Sequence, residues 1–487
     1  MKKVGQFLLS VILGGFILLF TWIIINSIFI GQPALFSYNP IILIVFMIID
    51  TLVLIYTYIK IIPVIVKYKW LPLVLIILFT IICIIVSYSL RQNPSWDMGR
   101  VFNIAVEYNQ NGHITDTYLY EYQNNIAITC IYILILKIFS IINFTDYITA
   151  ITFVNAIVVS LSVVFLYNAI KKLYGKEKAI MTLIICLFTT PFYLHAAIYY
   201  TDTMSMFFCT LFLLIYTIMK EEKTIFKKNL EQVLLGLIFV IGAVIKITTT
   251  FLLIAVILTL LLNKKFKDIT RDFKIFLPSI IIFFTVYTLF VNIKVIPDKN
   301  KLNNYKVPIS HWIWIGSVGN GGFNQEAYEY TYSFSTYEEK NKADIEKIKE
   351  TLKSYNPMSF INHINEKLKF TWSDGTYLAP EKLRRDPVNK GKLYQYVAID
   401  GQMKDYYKYL PQTMHMVMLI FMLINAIELF KSKKYEKIDT VFIVSILGMA
   451  VFLMLCENRS RYILTLIPIM LLLEVNGIEI VGKKLKK

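Results

Sequence analysis

Two aspartates have the surroundings expected of a group that handles protons at a membrane surface. Asp97 lies in the segment PSWDMGR, residues 94–100, shortly after a long apolar run. A carboxylate there suits a general base that accepts a proton from an incoming hydroxyl group, although an Asp before an amphipathic stretch can also cap a helix. Asp202 lies in AAIYYTDT, residues 196–203, inside an almost continuous apolar stretch. An ionisable group in such a stretch is costly and is a functional candidate, with helix capping as the alternative.

Three basic residues interrupt apolar sequence away from the other lysine and arginine clusters. Lys246 stands between two isoleucines, and Arg459 and Arg461 lie in ENRSRY, residues 457–462. A lone lysine can extend harmlessly to the membrane interface, but it can also supply a point charge for a phosphate group. Arginine adds a fork of donors that fits phosphate oxygens. We expect these three residues and Arg100 to bind the phosphate of a lipid-linked ligand.

Aromatic residues suggest where a sugar could bind. The turn WSDGTY, residues 372–377, combines rings and hydrogen-bonding groups that can stack on and orient a sugar, although external turns beside an aromatic belt have the same composition. The five histidines show no metal-ligand spacing, so no cofactor is predicted and a divalent metal is left undetermined. The candidate acceptor-binding or sugar-binding residues are Trp96, Tyr200, Glu457, Trp372, Asp374 and Tyr377.

The composition shows which solvent surrounds these residues. Of the 487 residues, 56% are hydrophobic and only 17% are charged, which is too apolar for an ordinary soluble protein. Apolar runs of about 20 residues recur along the chain, and in a bilayer such runs must be helices because every backbone amide needs an internal partner. The sequence therefore predicts an all-α polytopic membrane protein with about twelve transmembrane helices.

The net charge of +17 is explained by where the basic residues lie. Most of them form short clusters between apolar runs, for example at residues 171–178, 220–228, 264–274 and 483–487. This is the pattern of cytoplasmic loops that face anionic membrane lipids. Nucleic acid is not an expected partner, because the clusters lack the interleaved aromatic residues of a folded nucleic-acid-binding face.

Loop charge also orients the helices. The apolar run at residues 126–142, which contains Lys137, could be a span or an interfacial or re-entrant helix. Only an interfacial or re-entrant helix keeps the clusters at 171–178, 220–228 and 264–274 inside, and we expect that arrangement. With the N-terminus inside, the predicted spans are residues 6–30, 41–60, 70–90, 147–170, 178–197, 203–219, 232–246, 249–263, 274–296, 412–430, 437–456 and 462–480.

This topology divides the chain into three parts. One of these parts is a long loop at residues 297–411, which is rich in polar and aromatic residues and far longer than a connection between two helices requires. A capping-box pattern that begins at Ser335 and the helix-start signal Asn356-Pro357 predict that this domain is mainly helical. The parts are an N-terminal transmembrane module at residues 1–296 with an external catalytic loop at 91–125, an extracytoplasmic loop domain at 297–411, and C-terminal transmembrane helices at 412–487.

The order and sidedness of these features resemble the GT-C superfamily of membrane glycosyltransferases, which use sugars linked to polyprenyl phosphate. Within that superfamily the chain resembles the protein O-mannosyltransferase or aminoarabinose-transferase-like bacterial branch and is similar to glycosyltransferase family 39. Two helices before the catalytic loop are additional to that pattern. The resemblance is carried by Trp96-Asp97, by LYG at 173–175, by YTD at 200–202, by Lys246 between helices and by ENRSRY at 457–462.

The resemblance implies an inverting glycosyltransferase that moves a hexose or pentose from a polyprenyl-phosphate carrier to an acceptor. The site would face outward from a multi-pass protein of the cytoplasmic membrane. Asp97 would deprotonate the acceptor hydroxyl, Asp202 would orient basic partners or the acceptor, and the four basic residues named above would offset the charge of the leaving phosphate. The expected partners are the lipid-linked sugar donor, membrane lipids, and a cell-envelope glycan, glycolipid or protein acceptor.

Two other classes of protein share these features. A lipid-linked sugar transporter would line a pathway with the same charges, but such folds usually contain paired half-repeats with broken helices, and the sequence shows no internal repeat. A polysaccharide polymerase or ligase also handles lipid-linked sugars outside the cell. Consumption of the donor in detergent would separate a transferase from a transporter, and a ladder of lengthening products would identify a polymerase.

Overall fold

A computed structural model of the protein describes residues 2–29, 35–222, 224–263 and 273–486. Helices make up almost all the regular structure in these ranges, and an isolated β-bridge joins Gln92 to Pro387. The prediction of an all-α polytopic membrane protein is confirmed. Parts of three predicted basic clusters, namely Lys223, residues 264–272 and Lys487, lie outside the described residues.

The N-terminal half contains fourteen of the helices that we number in chain order. Its long members form because they are runs of apolar residues bounded by polar or basic turns. They are α1 (Lys2–Phe29), α2 (Pro40–Tyr56), α3 (Ile62–Ile65), α4 (Leu71–Ser89), α5 (Trp96–Asn111), α6 (Tyr118–Glu121), α7 (Ile126–Ile141), α8 (Tyr147–Tyr174), α9 (Lys176–Phe188), α10 (Thr190–Ala196), α11 (Thr201–Glu221), α12 (Ile225–Ile245), α13 (Thr250–Asn263) and α14 (Phe276–Phe290).

The second half contains the short helices of the predicted loop domain and the last long helices. They are α15 (Lys299–Tyr305), α16 (Ile309–Ser317), α17 (Gln325–Tyr332), α18 (Tyr337–Ser354), α19 (Pro357–Trp372), α20 (Ala379–Leu383), α21 (Lys392–Val397), α22 (Lys404–Tyr407), α23 (Tyr409–Ser432), α24 (Ile438–Leu455) and α25 (Ile467–Leu485). Over the described residues, eleven helices are long and apolar enough to cross a membrane, or twelve if one bent pair is a single span.

The bent pair lies where the sequence predicts one span at residues 178–197. Helices α9 and α10 meet at Thr189 and are bent by 62° relative to each other. Pro191 lies in the first turn of α10, where its missing N–H needs no partner, but proline cannot continue the hydrogen-bond ladder of α9. The predicted span at 249–263 is present as the shorter apolar helix Ile247–Asn263.

Helix α7 covers the segment predicted to be interfacial, and both of its ends lie on the same side of the helix bundle. In its second turn, Tyr132 donates a hydrogen bond to the carbonyl of Tyr199, whose own hydroxyl donates to the carbonyl of Gln92 just after α4. After a short turn, Thr149 at the start of α8 accepts a hydrogen bond from Arg91, which also follows α4. Although α7 is long and apolar enough to span, these contacts support the interfacial or re-entrant arrangement.

Helices of the loop domain begin at the predicted signals with one shift. The N-cap of α18 is Thr336 rather than Ser335, because the Thr336 hydroxyl accepts the Glu339 amide while the Glu339 carboxylate accepts the Thr336 amide. The side chain of Asn356 caps α19 as the sequence predicts. Capping satisfies amides that a helix start leaves without an internal partner.

The two additional N-terminal helices pack against the C-terminal part of the chain. The ring of Phe20 in α1 meets the ring of Trp372 edge-on, with centroids 5.1 Å apart. Asn39, which caps α2, donates its amide to the Tyr409 hydroxyl at 3.0 Å. The segment Ser460–Leu485 is the most buried of the candidate spans, at 89%. The core therefore surrounds α25, and the residues just before α25 form part of the site described next.

Candidate active site

The centre of the site is the buried Asp202 carboxylate, which binds two cations. Asp202 lies in the first turn of α11 and is 1% exposed. Lys246, at the break between α12 and α13, donates a hydrogen bond to Oδ1 of Asp202. Arg461, which follows α24, donates from Nη1 to Oδ2 at 2.6 Å. Three residues far apart in the sequence therefore form one cluster with an excess positive charge.

The alternative interpretation of Asp202 as a helix cap is wrong in this structure. Tyr200 occupies the N-cap position of α11, and both Asp202 oxygens are engaged by the two cations. A buried carboxylate needs such partners because its desolvation is costly. The predicted pairing of Asp202 with basic residues therefore matches the observed contacts.

Aromatic rings surround the Arg461 guanidinium. Its central carbon lies 5.3 Å from the ring centroid of Trp96, 5.5 Å from that of Tyr200 and 5.1 Å from that of Tyr462. The Trp96 and Tyr200 rings also meet edge-on at 4.9 Å. The Nε atom of Arg461 is buried and has no hydrogen-bond partner within the described part of the chain. A guanidinium usually uses several of its N–H groups when it is buried, so an unpartnered Nε is unusual.

Lys382 joins this cluster, although sequence reasoning missed it. Its ammonium lies 4.2 Å from the centroid of the Trp96 ring, and the residue is only 6% exposed. Burial and then the charge of Arg461 lower the pKa of Lys382 to about 7, while Glu381 at 3.8 Å acts in the opposite direction. In the sequence it lies in the charged run EKLRR, residues 381–385, which resembles a solvated surface and carries no signal of burial.

Asp97 is connected to this cluster by a chain of hydrogen bonds. The Tyr118 hydroxyl donates to Oδ1 of Asp97 at 2.9 Å and accepts from the side-chain amide of Asn125 at 2.7 Å. The Tyr200 hydroxyl in turn donates to the Asn125 carbonyl oxygen at 2.9 Å. Burial raises the pKa of Tyr118 above its usual value, and nearby Tyr200 and Asp97 add to that effect. Tyr118 therefore remains a proton donor that orients the Asp97 carboxylate.

The backbone around Asp97 has an unusual conformation. Trp96 has a φ of 47°, in the left-handed region that non-glycine residues rarely adopt. The N-cap of α5 is Ser95, so Asp97 lies within the first turn and does not cap the helix. Asp97 is half-buried. Strained conformations of this kind concentrate at functional sites.

The remaining predicted phosphate-binding residues, Arg459 and Arg100, pair with carboxylates other than Asp202. Arg459 contacts Glu457 at 3.3 Å, and the backbone amide of Glu457 donates to the carbonyl of Trp312 at 2.8 Å. Arg100 forms an exposed ion pair with Asp116 at 2.8 Å and does not contact the Asp202 cluster in the described structure. A phosphate-binding role for Arg100 stays a prediction.

The turn at residues 372–377 has a structural place in the fold. Trp372 is fully buried, and its ring packs on Phe20. Asp374 accepts hydrogen bonds from Thr376 within the turn and from the Ser460 hydroxyl at 2.6 Å. The Tyr377 hydroxyl pairs with a histidine ring. These contacts hold the residue before Arg461 in place, and direct sugar binding by Trp372, Asp374 and Tyr377 stays a prediction.

In the ranges that the structure describes, no group of three or more His, Cys, Asp or Glu side chains is arranged to hold a metal ion. The carboxylates that approach the centre are paired with cations or with hydroxyl groups, as Asp202 and Asp97 show.

The helices and the buried charge cluster define a multi-pass membrane protein with a polar site where several helices end. Residues 3–479 match the family described as "CHIM_prot: Conserved hypothetical integral membrane protein", and the chain belongs to that family. No curated protein matches the chain.

Two solved structures are similar to the chain at 12% sequence identity. ArnT from Cupriavidus metallidurans, bound to undecaprenyl phosphate, has a TM-score of 0.34, with 85% of this chain and 79% of that chain covered. The archaeal oligosaccharyltransferase AglB from Archaeoglobus fulgidus, in complex with an inhibitory peptide and a dolichol-phosphate, has a TM-score of 0.41. That match covers 86% of this chain and 51% of AglB, so this chain spans about half of AglB.

Proposed function

We propose that this protein is a GT-C-type glycosyltransferase that moves a sugar from a polyprenyl-phosphate carrier to an acceptor hydroxyl outside the cytoplasmic membrane. The observation that carries the proposal is that Arg461, which shares Asp202 with Lys246, lies together with Lys382 against the ring of Trp96, the residue directly before Asp97. A phosphate-binding group and a candidate base thus belong to one connected site, as a transfer from a phosphate carrier requires.

The cations suit a phosphate that leaves at the membrane surface. Asp202 compensates one of the two charges on Lys246 and Arg461, and Lys382 adds a further positive charge when it is protonated. The unpaired Nε of Arg461 offers a hydrogen bond to a phosphate oxygen. Charge that develops on the leaving phosphate in the transition state is stabilised most where the surroundings are dry and the donors are already oriented.

Asp97 is the proposed base. As the acceptor oxygen forms its bond to the anomeric carbon of the sugar, the bond from that carbon to the phosphate oxygen breaks, and the polyprenyl phosphate departs with the electron pair. The acceptor proton passes to the Asp97 carboxylate, which Tyr118 holds in place. Attack on the face opposite the phosphate inverts the anomeric centre, as the family resemblance implies.

The membrane arrangement supports a donor with a long lipid tail. Asp202, Lys246 and Arg461 all lie at breaks where long apolar helices end, so a carrier tail can remain in the bilayer while its phosphate reaches the cations. The basic clusters at the opposite helix ends favour an outward-facing site.

Donor turnover by the purified protein tests the proposal. The full chain in detergent is mixed with a panel of undecaprenyl-phosphate hexoses and pentoses and with a cell-envelope fraction as the source of acceptor. We expect at least one donor to be consumed, with release of undecaprenyl phosphate detected by mass spectrometry. Failure of every donor to react, together with failure of undecaprenyl phosphate to bind, would contradict the proposal, and a ladder of products would assign the polymerase alternative.

The Asp97→Asn variant tests the role of the base. Asparagine has nearly the same shape but cannot accept the proton, so turnover should fall by about 100-fold or more, the range attributed to a general base. Binding of undecaprenyl phosphate should stay within about twofold, since Asp97 does not contact the cations. Glu107→Gln removes a carboxylate of the same loop that binds Thr115, and it should retain turnover. Equal turnover of Asp97→Asn and the unmodified protein would remove Asp97 from the base role.

A further inference from the structure

A group of aromatic side chains beside Asp97 comes from the loop domain and from the end of the loop 91–125. We call these residues the aromatic surface. Its rings form neighbouring pairs, with centroids 4.2 Å apart for Tyr328 and Tyr332, 6.0 Å for Phe323 and Tyr328, and 6.2 Å for Tyr122 and Trp312. The hydroxyl oxygens of Tyr332 and Tyr122 lie within hydrogen-bonding distance, at 2.8 Å, which joins the pairs into one group.

The aromatic surface is accessible, and only Tyr122 at its edge packs against the hydrophobic core. Phe323 is 50% exposed, and the other four residues are half-buried. Single exposed apolar side chains are common, but contiguous apolar patches often mark sites that bind another molecule. Such a patch next to a site is therefore a candidate for ligand contact.

A carboxylate lies within this surface. The Tyr332 hydroxyl donates a hydrogen bond to Oε1 of Glu121. Burial and then the charges of Glu121 and Asp97 raise the pKa of Tyr328, which shows that both carboxylates lie within electrostatic reach of its ring. The surface therefore combines flat apolar faces with hydrogen-bonding groups.

The aromatic surface is continuous with the proposed reaction site at two places. The ring of Tyr122 lies 5.0 Å from that of Tyr118, whose hydroxyl binds Asp97. The carbonyl of Trp312 accepts the backbone amide of Glu457, which lies in the segment that leads to Arg461. A molecule that lies on these rings would present its hydroxyl groups toward Asp97.

We propose that the aromatic surface binds the acceptor and that the acceptor is a glycan. Pyranose rings have apolar C–H faces that stack on aromatic rings, and their hydroxyls bind carboxylates and tyrosine hydroxyls, so this surface fits a sugar chain. An acceptor held through a lipid tail would instead require a purely apolar face at the level of the bilayer. The proposal rests on the proposed glycosyl transfer, because it assigns the acceptor side of that reaction.

Saturation-transfer NMR on the full chain in detergent tests this surface directly. The probes are soluble chitotetraose, maltotetraose and mannotetraose, with a Ser/Thr-rich peptide of similar mass as the competing acceptor class. We expect at least one oligosaccharide to bind, and binding to weaken about fivefold to tenfold in Phe323→Ala and in Tyr328→Ala, the effect of losing one stacked ring. Phe360→Ala is the matched control, because Phe360 is 43% exposed on the same loop domain but packs beside Tyr355 and not in the aromatic surface.

Binding of undecaprenyl phosphate is measured on the same samples. Loss of oligosaccharide binding with retained lipid-phosphate binding in Phe323→Ala supports the inference. Binding of the peptide in place of every sugar, or equal sugar binding by the Phe323→Ala and Phe360→Ala variants, overturns it. Oligosaccharide binding to a protein that neither binds undecaprenyl phosphate nor consumes a donor would retain the glycan surface and refute the proposed transfer.

Discussion

At the scale of single residues, the site depends on charges that compensate one another in a buried place. Asp202 forms ion pairs with both Lys246 and Arg461. The carboxylate holds the two cations in place and compensates part of their positive charge. Lys382 differs, because it lies on the face of Trp96 and close to Arg461, which disfavours its protonated form. A lysine in that setting is poised to gain a proton when an anion arrives.

This property of Lys382 predicts a pH dependence of lipid-phosphate binding. In the free protein its pKa is lowered to about 7, so the ammonium form is present below that pH and is lost as the pH rises through it. A bound phosphate favours the charged form, and affinity for undecaprenyl phosphate should therefore fall by about tenfold between about pH 6 and pH 9, the size of one hydrogen bond between charged groups. Titration by microscale thermophoresis across this range measures the effect.

The Lys382→Arg variant is the control for that experiment. Arginine stays charged at every pH in the range, so its affinity should not show the fall that the lysine causes. Ionisation of the phosphate itself, with a pKa of about 6, affects both proteins equally and cancels in the comparison. Identical pH profiles for the two proteins would show that Lys382 takes no part in binding.

At the scale of elements, the start of α5 decides where Asp97 points. Trp96 has a positive φ, and Gly99 packs so closely that an ideal Cβ there would lie 2.4 Å from the carbonyl carbon of Pro94. Backbone atoms cannot move aside as a flexible side chain can. The turn before α5 therefore has this conformation only because Gly99 has no side chain.

Gly99→Ala should therefore displace the turn and reduce turnover. Overpacking of this kind costs about 1–3 kcal/mol, and a shift of about 1 Å in a catalytic group can lower the rate by about 100-fold. Donor turnover and thermal unfolding of the purified variant measure the two effects. Gly15→Ala is the control, because no atom lies within 4 Å of its ideal Cβ in the middle of α1. Unchanged turnover in Gly99→Ala would show that this turn does not position Asp97.

Local sequence signals predict where a helix starts but not how two helices are oriented relative to each other. The pattern near residue 335 predicts a helix start to within one residue, because a cap depends only on neighbouring amides. Residues 178–197 read as one span, yet Pro191 breaks them into two helices bent by 62°. The hydropathy of the segment is the same whether it is straight or bent, so only the packing of His195 and its neighbours against α8 reveals the bend.

At the scale of the whole molecule, the candidate residues can form one site only if the helix ends that carry them lie on the same side of the bundle. Contacts put the ends of α4 and α10 and the starts of α8 and α11 on one side of the bundle. This arrangement requires that α7 returns to the side from which it starts. With this arrangement, we propose that the basic clusters at the other ends of these helices face the cytoplasm.

Labelling of single cysteines tests this topology in cells. In a background without the five native cysteines, Ile142→Cys just after α7 should react with a membrane-impermeant maleimide added to intact cells. Lys349→Cys in the loop domain is the external reference, and Lys434→Cys between α23 and α24 should react only after lysis. Reaction of Ile142→Cys only after lysis would mean that α7 crosses the membrane.

The sequence alone determines the membrane setting, the helical class and the candidates Asp97, Asp202, Lys246 and Arg461. Apolar runs, loop charge and isolated ionisable residues are local properties that a chain displays before it folds. Tertiary structure decides that Asp202 meets both cations, that Asn125 links Tyr200 to Tyr118, and that Lys382 leaves a charged run to lie on Trp96. Such contacts join residues that are far apart in the chain. They form only when the helices pack, because packing brings helix ends together and the sequence spacing does not show which ends will meet.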